Sequence, residues 1–63
     1  MKNDNIYIKN QCRVLISQLI AFESGIETAA RKDDGKIDAD EMKTVKKLTS
    51  EAEAMKKTLE KYL

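Results

Sequence analysis

The stretch KDDGKIDADE, residues 32–41, decides the fold because it holds the clearest helix-breaking signal in the chain. Gly35 readily takes the left-handed backbone conformation that ends a helix. Asp38 is a favourable N-cap residue, and Glu41 follows it at the spacing of a capping box. We therefore predict that one helix ends before Gly35 and that a second helix begins just after Asp38.

The sequence on both sides of this turn favours helix. The 63 residues include no Pro and only two Gly, the two residues that most disfavour a helix interior. We predict a first helix over about 5–31, a turn over 32–38 and a second helix over about 39–63, in a single domain of residues 1–63. Matched lengths and a short connection favour an all-α, antiparallel two-helix hairpin.

Both predicted helices carry apolar residues at alternating three- and four-residue spacing, which is typical of a packed helical seam. The predicted seam of the first helix consists of Ile8, Cys12, Leu15, Leu19, Phe22, Ile26 and Ala29. The predicted seam of the second helix consists of Val45, Leu48, Ala52, Met55, Leu59 and Tyr62. We expect these two seams to face each other in the hairpin.

The composition indicates that one hairpin is too small to complete its own core. With one Cys and no His, the chain has no internal disulfide and lacks the ligands of a structural zinc site. Domains of this size usually need such a link or oligomerisation. We therefore expect a four-helix bundle or a larger helical homo-oligomer, most simply a dimer.

A second row on the first helix has an apolar centre, a basic start and an acidic end. It consists of Ile6, Lys9, Arg13, Ile16, Ile20, Glu23 and Glu27. Two antiparallel copies related by a two-fold axis near residue 18 would place Arg13 opposite Glu23 and Lys9 opposite Glu27. We predict this row as the dimer interface. In the alternative interpretation, Ile16 and Ile20 widen the core stripe of one hairpin and the charges are solvated.

The length, the two matched helices and the turn segment IDADE at 37–41 resemble the ROP-like RNA-binding hairpins. The resemblance implies a dimeric four-helix bundle whose first helices bind paired RNA loops. The first helix here has only Lys9, Arg13 and Arg31 as bases, and the net charge of the chain is +1. Nucleic-acid binding usually requires a larger positive excess, so nucleic acid is not the partner that we expect.

Residues 34–41 resemble the second half of an EF-hand calcium loop. The candidate oxygen ligands are Asp34, Asp38 and Glu41. A calcium loop needs six to eight oxygen ligands, and two of the remaining ligand positions would be Ala30 and Lys32. Helix capping explains the same acidic residues without a metal, and we take it as the main interpretation.

No arrangement of residues predicts catalysis or a bound cofactor. Cys12 has no His to activate it, and the chain has no Gly-rich phosphate loop. An alternative function is the binding of an anionic nucleotide in an oligomer, because cationic and aromatic side chains together suit such a ligand. The candidate contacts for this ligand are Tyr7, Lys9, Gln11 and Arg13.

These patterns favour a small non-enzymatic regulatory protein, of the adaptor or inhibitor type, that acts through helical surfaces. Its expected partners are other copies of itself and a protein or small anionic ligand of unknown identity. The start of the chain lacks the apolar run of a signal peptide, and the longest apolar stretch is too short to span a bilayer. We expect a cytoplasmic location.

Overall fold

The computed structural model describes residues 4–63 as two antiparallel helices joined by a short turn. Helix α1 spans Ile6–Arg31 and helix α2 spans Ala39–Glu60. The two helices pack along their length into an elongated hairpin that measures 47 × 16 × 9 Å. The all-α hairpin predicted from the sequence is thus confirmed, and residues 1–3 of the predicted domain lie outside the described residues.

Side chains and backbone turns define the ends of α1. The Asn5 Oδ1 atom accepts hydrogen bonds from the backbone N–H groups of Tyr7 and Ile8, at 2.9 and 3.2 Å. At the other end, the Gly35 N–H donates to the carbonyl oxygen of Arg31 at 2.7 Å. Gly35 has a φ of +76°, which is the left-handed conformation that the sequence predicts at this turn.

A reciprocal capping box begins α2. The Asp38 Oδ1 atom accepts a hydrogen bond from the Glu41 N–H at 2.8 Å, and the Glu41 Oε1 atom accepts one from the Asp38 N–H at 3.0 Å. Asp40 and Glu41 also place negative charge in the first turn, where it opposes the positive end of the helix dipole. At its C-terminus α2 ends at Glu60, and residues 61–63 continue as a tighter turn.

The seam of α1 differs from the predicted one by a rotation about the helix axis. Leu19, Cys12 and Ile26 face α2 as predicted and are half-buried. The alternate positions of the predicted seam point away from α2. Ile8, Leu15 and Phe22 are 49%, 37% and 41% exposed, and Ala29 is exposed as well. The covered residues are instead those one position later along the chain, namely Lys9, Ile16, Glu23 and Ala30.

The seam of α2 is rotated in the same direction. Val45 and Ala52 are the buried apolar residues of the described chain, at 6% and 5% exposure. Met55 and Tyr62 of the predicted seam are exposed. Lys56 and Leu63, again one position later, are half-buried. Both rotations have one physical reason. The apolar stripe of α1 is wider than α2 can cover, and when α2 covers the side with Ile16, Glu23 comes to lie beside Lys56.

Candidate interaction surface

The hairpin leaves apolar side chains exposed on two sides: Ile6 and Ile20 lie beside the charged residues of α1, and a larger group lies on a surface to which both helices contribute. This surface, the apolar face, consists of the exposed Ile8, Leu15, Phe22 and Met55 and of the half-buried Leu48 and Leu59 beside them. Two shallow depressions of about 380 and 230 Å³ follow it along the helices. The first lies between the start of α1 and Leu59, and the second lies between Phe22 and the middle of α2. Both helices therefore contribute to one continuous apolar surface.

The charges of α1 are confined to the flank opposite the apolar face. At 100° per residue, all the charged side chains of α1 fall within an arc of about 80°. They are Lys9, Arg13, Glu23, Glu27 and Arg31. The uncharged half of α1 runs from the apolar face round to the back of the helix. Its members are Tyr7, Ile8, Gln11, Val14, Leu15, Gln18, Ala21, Phe22, Gly25 and Ala29.

An ion-pair cluster joins the two helices on the charged flank. The Lys56 Nζ atom lies 2.7 Å from the Glu23 Oε1 atom of the other helix and also contacts the Glu53 carboxylate. The side chains of Lys56 and Glu23 are largely buried. Apart from this ion pair, the Glu23 Oε1 atom has no hydrogen-bond donor among the described residues. Lys56 therefore compensates a carboxylate oxygen that is withdrawn from water.

The same cluster shifts two pKa values. A hydrogen bond from the Lys56 ammonium, together with the positive charges of Lys56 and Lys57, lowers the pKa of the Glu53 carboxyl. The hydrogen bond to Glu23, followed by the one to Glu53, raises the pKa of the Lys56 ammonium. Both shifts favour the charged forms of Glu53 and Lys56.

Sequence reasoning did not single out Lys56, although a signal for its position exists. Glu23 directly follows Phe22, and Lys56 directly follows Met55. Two opposite charges, each one residue beyond a predicted seam position, match the observed rotation of both helices. The heptad pattern placed the apolar Phe22 and Met55 in the helix contact, and the structure places Glu23 and Lys56 there instead.

The predicted dimer row divides between two environments. Lys9, Ile16 and Glu23 are half-buried toward α2, whereas Ile6, Arg13, Ile20 and Glu27 are exposed. The acidic end already has partners within the chain, since Glu23 pairs with Lys56 and Glu27 lies 3.6 Å from Arg31. The pairing of this row between copies stays a prediction.

The four candidate nucleotide contacts do not come together. Tyr7 and Gln11 line the larger depression of the apolar face. Lys9 and Arg13 project from the charged flank, and the Arg13 Nη1 atom donates to the Asn10 Oδ1 atom at 3.0 Å. The aromatic ring and the cations therefore lie on different sides of α1, where one nucleotide would not reach both in a single chain.

The acidic side chains of the turn accept hydrogen bonds from backbone N–H groups. The Asp34 Oδ1 atom accepts a hydrogen bond from the Lys36 N–H at 3.0 Å, and Asp38 and Glu41 form the capping box. Within residues 4–63, no group of three or more acidic, Cys or His side chains is arranged to hold a metal ion. The three candidate calcium ligands thus have other roles in this fold.

The fold and this surface define an all-α helical hairpin with an uncovered apolar face. Comparisons with protein-family models, curated proteins and solved structures found no significant match. Neither described helix is long and apolar enough to cross a membrane.

Proposed function

We propose that this protein is a small non-enzymatic regulatory protein, an adaptor or an inhibitor, that acts through its helical surfaces as part of a helical oligomer. The apolar face carries the proposal. A surface of exposed Ile, Leu, Phe and Met side chains, flanked by the half-buried Leu48 and Leu59, marks an interaction site on a chain of this size. In the functional state of the protein, another helical surface packs against the apolar face.

The small core of the hairpin supports this function. Among the described residues, the buried side chains are those of Val45 and Ala52, which provide too little apolar burial to offset the conformational entropy of folding. The accessible surface of the chain is 5018 Å², whereas a compact monomer of 7.2 kDa exposes about 4,100 Å². The chain gains the missing burial when a partner covers the apolar face.

The alternative functions have less support from the arrangement of residues. The nucleotide candidates are divided between two sides of α1. The bases that an RNA-binding hairpin would use, Lys9, Arg13 and Arg31, share one flank with Glu23 and Glu27. A flank of mixed charge does not provide the positive surface that attracts phosphates.

The substitution Leu15→Lys tests the role of the apolar face. The stem of Lys can lie over the part of Leu15 that faces α2 while its ammonium reaches solvent, so the helices should still form. The charge makes the apolar face unfavourable to cover. We expect analytical ultracentrifugation to show a smaller assembly and thermal unfolding to occur at a lower Tm.

Ser17→Lys is the matched control, because Ser17 is exposed on the polar side of α1. It introduces the same charge into the same helix and should leave the assembly unchanged. If both variants assemble as the unmodified chain does, the apolar face is not the interaction surface and the proposal is wrong.

A further inference from the structure

We infer that a second copy of this chain covers the apolar face, with its α1 antiparallel to α1 about a two-fold axis close to Gln18. The inference rests on the proposed function and adds the identity and orientation of the partner. In this arrangement the two α1 helices form the centre of a four-helix assembly and the two α2 helices lie outside them.

The exposed area of the hairpin matches what such a dimer buries. The chain exposes about 900 Å² more than a compact monomer of its mass. Each partner in a stable interface of standard size buries about 800 Å². One further copy is therefore enough to account for the excess surface, and a larger partner is not needed.

The distribution of charge selects α1 as the central helix. Half of α1 carries no charged side chain over its whole length, and that half includes Leu15, Phe22 and Gln18. The corresponding flank of α2 carries Glu51, which lines the second depression beside Met55. Close contact between two α2 helices would bring Glu51 toward its own copy, which is unfavourable. Contact between two α1 helices brings no charges together.

One row of α1 is self-complementary when two copies run antiparallel, namely Ile8, Leu15, Phe22 and Ala29. A two-fold interface uses the same patch on both copies, so residue i meets residue j and residue j meets residue i. With the axis between Leu15 and Phe22, these two large side chains contact each other twice, and Ile8 meets the small Ala29. The axis then lies beside Gln18, whose amide can both donate and accept a hydrogen bond across it.

Disulfide cross-linking tests this geometry in the full chain. In a Cys12→Ser background, Gln18→Cys places one thiol beside the axis, within the Cα separation of about 4.4–6.8 Å that a disulfide requires. Ser24→Cys is the matched control, because Ser24 is exposed on the other side of α1. We expect the disulfide-linked Gln18→Cys dimer to form faster than that of Ser24→Cys by a factor on the order of a thousand, since the effective thiol concentration is millimolar rather than micromolar.

The direction of the helices is tested by a mixture of Ile8→Cys and Ala29→Cys chains in the same background. Antiparallel helices should cross-link the two different chains, whereas parallel helices should cross-link each variant with itself. Circular dichroism checks that every variant retains its helix content. The native mass of the unmodified chain gives its oligomeric state independently of the thiols.

Three results would overturn the inference. A dimeric chain in which Gln18→Cys cross-links no faster than Ser24→Cys excludes the central α1 contact and leaves the proposed function intact. Self-linking of Ile8→Cys excludes the antiparallel direction. A chain that remains monomeric at all concentrations excludes the second copy, and the comparison of Leu15→Lys with Ser17→Lys then decides the proposed function separately.

Discussion

The substitution Asp38→Ala distinguishes a capping role for the acidic turn from a calcium-binding role. Asp38 accepts one hydrogen bond from the Glu41 N–H at 2.8 Å, and its own N–H donates to the Glu41 carboxylate at 3.0 Å. Replacing an Asp N-cap by Ala costs about 1 kcal/mol. In a domain of this size, that loss lowers Tm by roughly 4–8 °C. Because the interaction is entirely within the chain, the loss should be the same with calcium and with a chelator.

Asp40→Ala is the control for this experiment. Asp40 also lies in the first turn of α2, so its removal weakens the favourable dipole interaction by about 0.3–1 kcal/mol. The higher helix propensity of Ala offsets that loss by about 0.5 kcal/mol. The assay is thermal unfolding followed by circular dichroism at a fixed protein concentration. Equal effects of the two substitutions would contradict the capping role, and a loss seen only with calcium would support the metal role.

The turn and the ion-pair cluster support two further predictions. Gly35→Ala should lower the free energy of unfolding by about 1 kcal/mol, because the left-handed φ of +76° strains Ala. The added Cβ meets no atom within 4 Å, so no steric clash contributes. A urea midpoint unchanged from that of the unmodified chain would refute this prediction. The lowered pKa of Glu53 stabilises the fold above the ordinary carboxyl pKa of 4.5, and this contribution is lost as pH falls through the folded pKa. The raised pKa of Lys56 stabilises the fold below the ordinary ammonium pKa of 10.5, and this contribution is lost as pH rises through the folded pKa. Lys56→Met should therefore flatten the dependence of the urea midpoint on pH at both extremes, and an unchanged profile would show that the cluster does not contribute.

Local signals in the sequence were sufficient to predict the two helices and their connection. Gly35 marks the left-handed turn, and the spacing of Asp38 and Glu41 marks the capping box. These features depend on residues only a few positions apart, so no information about the rest of the fold is needed. The apolar spacing likewise predicted that Cys12 and Leu19 lie on the contact side of α1.

The candidate site could be predicted only in part. The sequence indicated that α1 carries more apolar surface than one helix covers, but it placed the surplus on the row of Ile16 and Ile20. The structure leaves Leu15 and Phe22 exposed as well, while in the predicted row Ile16 is half-buried and Ile20 stays exposed. Periodicity could not decide between these rows because each lies at helical spacing and contains large apolar side chains.

The sequence by itself determined an antiparallel pair of helices with an apolar stripe too wide for one hairpin. Only the tertiary structure decided which part of that stripe remains uncovered. The difference is a rotation of α1 by about 50°, half of the 100° between successive residues. Such a rotation leaves every local hydrogen bond and cap unchanged. It depends on packing against Val45 and Ala52 and on the approach of Glu23 to Lys56, contacts between residues that lie far apart in the chain.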